Sequence, residues 1–264
     1  MMRTARQASD SPATHFLARA GLTARGVIYI LVGWVAVLVA LGQSAREADQ
    51  EGALQLLASK SYGLVSLWLL AIGFASYALW RLSEAAFGVA GDAGAGPRLK
   101  SLGRAIVYAG LSYLTFTVIS GKGRNESRRQ QDITATAMQH PAGRVLVGVI
   151  GLVVVICGIV LIVEGARRTF MKYLRTARMS ARVRRVVSWL GTTGTIARGL
   201  VFGLAGVGVI AAAVTHKAAE SGGIDKALLT LRNQPLGESL MLAAALGLVI
   251  FGVYGLCEAR WRKV

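Results

Sequence analysis

The sequence predicts an all-α polytopic membrane protein whose six transmembrane helices form three tandem helical-hairpin repeats. Three observations carry this. The 264 residues are 54% apolar and only 16% charged, with 32 glycines and a mean hydropathy of +0.52. That composition is too apolar for an ordinary soluble domain. Six apolar stretches approach the roughly 20 residues needed to cross a bilayer. A motif also occurs three times, as an arginine, a glycine 38 or 39 residues later and a glutamate 21 residues beyond it: Arg25, Gly63 and Glu84; Arg104, Gly143 and Glu164; Arg198, Gly237 and Glu258. Tyr29, Tyr108 and Phe202 lie four residues after each arginine, and Pro141 and Pro235 precede their glycines by two. A fixed period of this kind marks an internal repeat.

In chain order, residues 1–16 are polar and contain Pro12, which predicts a disordered tail. Repeat 1 occupies residues 17–88, with span one over 26–41 and its preceding turn, and span two over 62–80. Between them, residues 53–58 are apolar but too short to cross, and they predict a short helix at the interface. Span one is expected to be retained and not cleaved as a signal peptide, because its counterparts in the other repeats are structural. A glycine-rich linker over 91–97 precedes repeat 2, residues 97–165. Span three, about 102–120, is the most polar, with Tyr108, Ser112, Tyr113, Thr115 and Thr117, and is expected to face other helices. A polar loop over 121–140 leads to span four, about 142–163. A basic connector over 166–187 precedes repeat 3, residues 190–262, which holds span five (about 194–214), a short helix near 224–231 and span six (about 237–257). In span five the four-residue step from Gly199 to Gly203 admits close approach of another helix.

The net charge of +17 would suggest nucleic acid in a soluble protein, but here its placement matters more. Six spans put both termini on one side, and 20 of the 30 Lys and Arg residues fall there. Basic residues accumulate on the cytoplasmic side, so both termini are expected in the cytoplasm. Acidic residues contribute little to orientation, so three glutamates in register need another reason. Each arginine is expected at the start of its repeat's first helix and each glutamate at the end of its second, where its own macrodipole opposes it. The expectation is an Arg-to-Glu clamp within each repeat, joining Arg25 to Glu84, Arg104 to Glu164 and Arg198 to Glu258, or a ring in which each repeat pairs with the next. Such pairs either hold helices together or close a central path as a gate. No ionisable residue is placed near mid-span, which counts against a coupled transporter.

In the connector, Arg168, Lys172, Arg175, Arg178, Arg182 and Arg185 recur every three or four residues, while Phe170, Leu174, Ala177 and Ala181 form a modest apolar stripe. This predicts a basic amphipathic helix lying on the anionic inner leaflet. Docking of a cytoplasmic partner is the rival reading. No nucleic-acid partner is expected, since aromatic interleaving for base stacking is absent. No cofactor, metal or catalytic site is expected. The single histidines His15, His140 and His216 and the cysteines Cys157 and Cys257 form no ligand set, and no nucleophile elbow, zinc helix or phosphate loop occurs.

The triplets Ala24-Arg25-Gly26 with Tyr29 and Ala197-Arg198-Gly199 with Phe202, together with Gly52-Ala53-Leu54, Pro235-Leu236-Gly237 and Trp80-Arg81 followed by Glu84-Ala85, resemble a bacterial membrane family. It is the family catalogued as domain of unknown function 1206, built from tandem two-span units. The resemblance runs from about Phe16 onward. The middle repeat departs from it, with Gly103-Arg104-Ala105 and Val163-Glu164-Gly165. The resemblance implies a bacterial inner membrane location and no particular activity. The expected function is that of a structural or interaction component, with a small-solute or ion pore gated by the Arg/Glu pairs as the alternative.

Overall fold

The computed structural model describes residues 12–43, 48–87, 95–121, 126–233 and 235–263. Among these, nine α-helices follow a long, short, long order three times. Repeat 1 comprises α1 (Pro12–Ala40), α2 (Gln50–Ala58) and α3 (Gly63–Phe87), and repeat 2 comprises α4 (Ala95–Ile119), α5 (Glu126–Ala137) and α6 (Pro141–Ala166). Repeat 3 comprises α7 (Ala181–Thr215), α8 (Gly223–Arg232) and α9 (Gly237–Trp261). The six long helices are long and apolar enough to cross a membrane.

Several local expectations are corrected. Of the tail predicted over 1–16, residues 1–11 lie outside the described residues, and from Pro12 the chain is helical and continues unbroken into the first span. Part of the 91–97 linker also lies outside them. The rest belongs to α4, whose first turn contains Pro97, a position where the missing N–H removes no helical hydrogen bond. The loop predicted over 121–140 contains α5. Its sequence ESRRQQDITATA has almost no apolar residues, so a search for apolar periodicity passes over it. Thr134 is buried, and the following Met138 is buried against Val147 of α6 and Val209 of α7.

The connector predicted as one helix over 166–187 is divided. Arg168 takes a left-handed conformation (φ 53°), two 3-10 turns follow at Thr169–Tyr173 and Thr176–Arg178, and α7 begins at Ala181. Ser180 caps α7 by accepting from the Val183 N–H at 3.3 Å. At about 1.5 Å per residue α7 is roughly 52 Å long, well beyond the ~30 Å hydrocarbon core, so its basic first turns project from the bundle.

The long helices pack chiefly between repeats. The second span of each repeat lies antiparallel along the first span of the next, giving α3 on α4, α6 on α7 and α9 on α1. The last contact returns from repeat 3 to repeat 1. Within repeats, α1 packs on α3 and α7 on α9, whereas α4 and α6 are not packed against each other. The result is a ring open at the middle repeat.

The three inter-repeat crossings share one register. A Cβ at Gly26 would stand 2.8 Å from the Gly252 carbonyl oxygen, and one at Gly199 2.8 Å from that of Gly158. Seven residues further along, a Cβ at Gly33 would meet the Ala245 carbonyl at 2.7 Å and one at Gly206 the Gly151 carbonyl at 2.9 Å. Ser112 holds the equivalent place in repeat 2 and donates its hydroxyl to the Ala71 carbonyl at 3.0 Å. Aromatic pairs repeat as well, with Tyr29 edge-on to Phe251 at 4.8 Å and Tyr77 to Tyr108 at 4.3 Å. Of the pair that the spacing singles out, Gly199 lies in the crossing, whereas a Cβ on Gly203 would meet nothing within 4 Å; the close approach to the Gly203 backbone depends on Gly158, whose Cβ would lie 2.7 Å from the Gly203 nitrogen.

The repeated glycines have a separate cause. A Cβ on Gly63 would overlap the Leu57 carbonyl, one on Gly143 that of Ala137 and one on Gly237 that of Arg232. In each repeat the last carbonyls of the short helix abut the first turn of the second span, and only glycine fits. The short helices are themselves joined, since the Ala48 N–H donates to Asp225 Oδ1 at 2.7 Å, tying the entry of α2 to α8.

Glycine-to-alanine substitutions distinguish crossing from lipid-facing positions. Gly199→Ala is expected to lose about 1–3 kcal/mol through overpacking. Gly110→Ala, whose Cβ meets nothing within 4 Å, is expected to gain up to about 1 kcal/mol of helix propensity. Thermal unfolding of the purified protein in detergent reads both; equal shifts would contradict the crossing.

Candidate functional site

Four of the repeated charges, Arg25, Glu84, Arg198 and Glu258, converge at the end of the bundle where α1 begins and α9 ends, in an arginine-rich polar core. Arg25 of α1 and Glu258 of α9 are buried, with Arg25 Nη2 donating to Glu258 Oε2 at 2.5 Å. Arg262, one turn beyond Glu258, donates from Nη1 to its other oxygen. One carboxylate therefore holds two guanidinium groups. Beside it, buried Arg81 of α3 donates from Nη1 to Glu84 Oε2 at 2.6 Å and from Nη2 to the Tyr77 hydroxyl at 2.7 Å. The Ser101 hydroxyl of α4 donates to the same Glu84 oxygen at 3.0 Å, which ties α4 to α3.

Aromatic rings satisfy much of the remaining positive charge. The Trp80 ring lies 4.2 Å from the Arg81 guanidinium carbon and 5.3 Å from that of Arg262. Arg198 has no ion pair among the described residues; it lies 5.1 Å from the Tyr29 ring centroid and 4.9 Å from those of Phe202 and Phe251. Phe251 also receives Arg25 at 5.4 Å, so one ring serves two cations from two repeats. Contacts of this kind contribute from about 0.5 to 2 kcal/mol, the upper end when water is excluded.

The within-repeat clamps do not form. Arg25 pairs with Glu258 and not Glu84, Arg198 is carried by rings and not Glu258, and Arg104 (exposed) and Glu164 (half-buried) have no ion pair among the described residues. The ring version holds once, from the third repeat to the first. The reason is the crossing pattern: each second span lies beside the next repeat's first span, so its terminal glutamate is delivered to another repeat. Nor do the arginines stand at helix starts. α1, α4 and α7 begin well before Arg25, Arg104 and Arg198, beyond the first turn where a macrodipole acts. The glutamates do occupy last turns, and arginines on their own helices, Arg81 and Arg262, offset that placement.

Arg81 and Arg262 were not among the residues the repeat singles out, although their sequence carries a signal. Arg81 with Glu84 at i,i+3 and Glu258 with Arg262 at i,i+4 place opposite charges on one helix face. The connector completes the site by crossing its terminal face. Leu174 is fully buried and forms an antiparallel bridge with Arg262, with the Arg175 N–H donating to the Trp261 carbonyl at 2.8 Å and the Lys263 N–H to the Tyr173 carbonyl at 2.9 Å. Phe170 packs on Tyr254 with ring centroids 5.1 Å apart. Arg168, Lys172, Arg175, Arg178, Arg182 and Arg185 consequently share no single helical face; the first four lie in the folded connector and the last two in the opening turns of α7.

Among the described residues no group of three His, Cys, Asp or Glu side chains could hold a metal. His140 and His216 are exposed, and the side chain of His15 lies outside the described residues. Cys157 and Cys257 are free thiols on separate helices. What the site can do chemically is fix helices to one another and concentrate positive charge.

The family model described as Domain of Unknown Function (DUF1206) matches three times, over residues 20–88, 99–168 and 193–262. The chain belongs to this family. Each match begins inside the first long helix of a unit and holds its arginine, glycine and glutamate, its short helix and its second long helix, so the family unit is the structural repeat without the start of its first helix. A similar relative is "Uncharacterized protein YxxB" of Bacillus subtilis (strain 168), 30% identical over 250 residues covering 93% of this chain and 90% of the relative. No solved structure matches.

Removing one member of the buried triad leaves the others uncompensated, so Glu258→Gln is expected to lose about 3–5 kcal/mol. Glu164→Gln, at the equivalent position without an ion pair, is expected to stay within about 0.5 kcal/mol of the parent. Chemical unfolding in detergent separates the two; equal losses would show that the repeats use their glutamates alike.

Proposed function

We propose that the protein is a non-catalytic structural or interaction component of the bacterial inner membrane, with both termini in the cytoplasm. The observation that carries this reading is the use of the repeated charges. Arg25, Arg81 and Arg262, with Glu84, Ser101, Glu258 and the Trp80 ring, join four helices of three repeats around buried contacts, which suits a fixed scaffold more than a path that opens. The excess of basic residues on the side of the termini supports the orientation, and the basic connector folded across that face supports anionic inner-leaflet lipid as a partner. A membrane-protein partner would meet the chain on α4 and α6, whose spanning windows are only 22% and 17% buried within the protein, against 61% for α1. Nucleic acid is not part of this reading.

A pore or carrier is the second reading, and one observation favours it: the ring is open between α4 and α6, and Arg104 on α4 is exposed. Reconstitution into liposomes decides between the two. A scaffold gives ion and small-anion flux indistinguishable from empty liposomes, both for the parent and for Glu258→Gln; a flux that rises in that variant would identify a gate. A reporter fused after Val264 is expected to be cytoplasmic and one after Gly121 external, and the reverse pattern would invert the topology.

A further inference from the structure

At the end of the bundle where α9 finishes, a cavity of about 540 Å³ lies between α1, the folded connector and the last turn of α9. This falls within the roughly 300–1,000 Å³ range of small-ligand sites. Four arginines line it: Arg19 from α1, Arg175 and Arg178 from the connector, and Arg260 from α9. No acidic side chain is among the described residues that line it. The guanidinium groups of Arg25, Arg81 and Arg262 are met by Glu258 or Glu84, and that of Arg198 by three aromatic rings. Arg19, Arg178 and Arg260 have no ion pair among the described residues, so three like charges converge on one concavity.

We propose that this cavity is a binding site for a phosphate group, supplied by an anionic phospholipid headgroup or by a free phosphate. Guanidinium groups match phosphate oxygens with paired N–H donors, which a scatter of surface lysines does not. The cavity is built and not incidental. The Arg175 N–H bond to the Trp261 carbonyl fixes the connector against α9, the Arg178 N–H bond to the Arg175 carbonyl at 3.0 Å shapes the turn that presents Arg178, and Trp261 carries the Arg260 guanidinium over its ring at 5.5 Å. Its depth fits a headgroup. Arg19 lies just inside the apolar window that opens at Phe16, and Trp261 ends the window of α9, so the site stands where hydrocarbon gives way to phosphates. Thr23, Leu256 and Ala259 also line the cavity, and Leu256, one turn further into the span than Arg260, is where an acyl chain of a bound lipid would lie.

The inference rests on the reading that anionic inner-leaflet lipid is a partner, and narrows it from a basic face to one site. The test uses the full chain in neutral detergent and follows thermal unfolding against phosphatidylglycerol, phosphatidylcholine and, at constant ionic strength, inorganic phosphate. Phosphatidylglycerol is expected to raise the midpoint and phosphatidylcholine is not. The double variant Arg178→Gln with Arg260→Gln is expected to need at least about tenfold more phosphatidylglycerol for the same shift, while Arg182→Gln with Arg185→Gln, which removes equal charge outside the cavity, responds as the parent does. A parent response to inorganic phosphate alone, lost in the cavity variant, supports the site and assigns it to a free anion. An unchanged response in the cavity variant, or an equal loss in the control, overturns the site but leaves the lipid partner standing. A parent that ignores every phosphate probe overturns both. If the double variant does not fold, Arg19→Lys keeps the charge, loses the paired donors and is expected to weaken the response severalfold; a parent-like response overturns the proposal.

Discussion

Close contact of helical backbones at small residues is the constraint on which this structure depends. Lipid tails are as apolar as the side chains they would replace, so helices in a bilayer gain little by hiding apolar surface from one another. They gain from packing and from polar contacts, and both require short distances. Gly26 against Gly252 and Gly199 against Gly158 supply that proximity, with backbone carbonyls where a Cβ would stand. The aromatic pairs, the delivery of Glu258 to Arg25 and the wrapping of the chain from repeat to repeat all follow from these crossings.

The same geometry accounts for the unequal fates of three equivalent positions. Where α9 lies on α1, the terminal glutamate meets the arginine, and Arg262 joins it. Where α6 lies on α7, the contact is as close, but Arg198 turns to Tyr29, Phe202 and Phe251 and leaves Glu164 aside. Where α3 lies on α4, alanine and serine replace glycine, and Arg81 and Ser101 take Glu84 from Arg104. A symmetric backbone thus supports an asymmetric charge pattern concentrated where repeat 3 returns to repeat 1. The open side of the ring lies in the repeat whose opening triplet, Gly103-Arg104-Ala105, departs from the others.

Much of this fold was legible in the sequence. Six apolar stretches gave the spans, and the recurring Arg, Gly and Glu gave the repeats, because both depend on residue type and spacing alone. Two kinds of feature were hidden. Polar helices such as α5, and the extension of α1 and α7 beyond the apolar windows, leave no hydrophobic period to read. Partner choice was the other. Adjacency along the chain suggested Arg25 with Glu84, whereas the decisive fact, which helices approach most closely, resides in glycines of different repeats, such as Gly26 and Gly252, 226 positions apart. Arg81 and Arg262 carried i,i+3 and i,i+4 signals with nearby glutamates, but such spacings are common on helices and gain meaning only when the face is buried. The connector failed as a helix because Leu174 is held by a backbone bridge to Arg262, 88 residues away in sequence.

Cysteine cross-linking in native membranes tests the inter-repeat arrangement most directly, in a background with Cys157 and Cys257 replaced by serine. Cysteines at Ala71 and Ser112, which touch across α3 and α4, are expected to cross-link readily. Cysteines at Ser112 and Ile156, which a closed hairpin in repeat 2 would bring together, are expected not to. Efficient cross-linking of Ser112 with Ile156 and none of Ala71 with Ser112 would contradict packing of each second span on the next repeat.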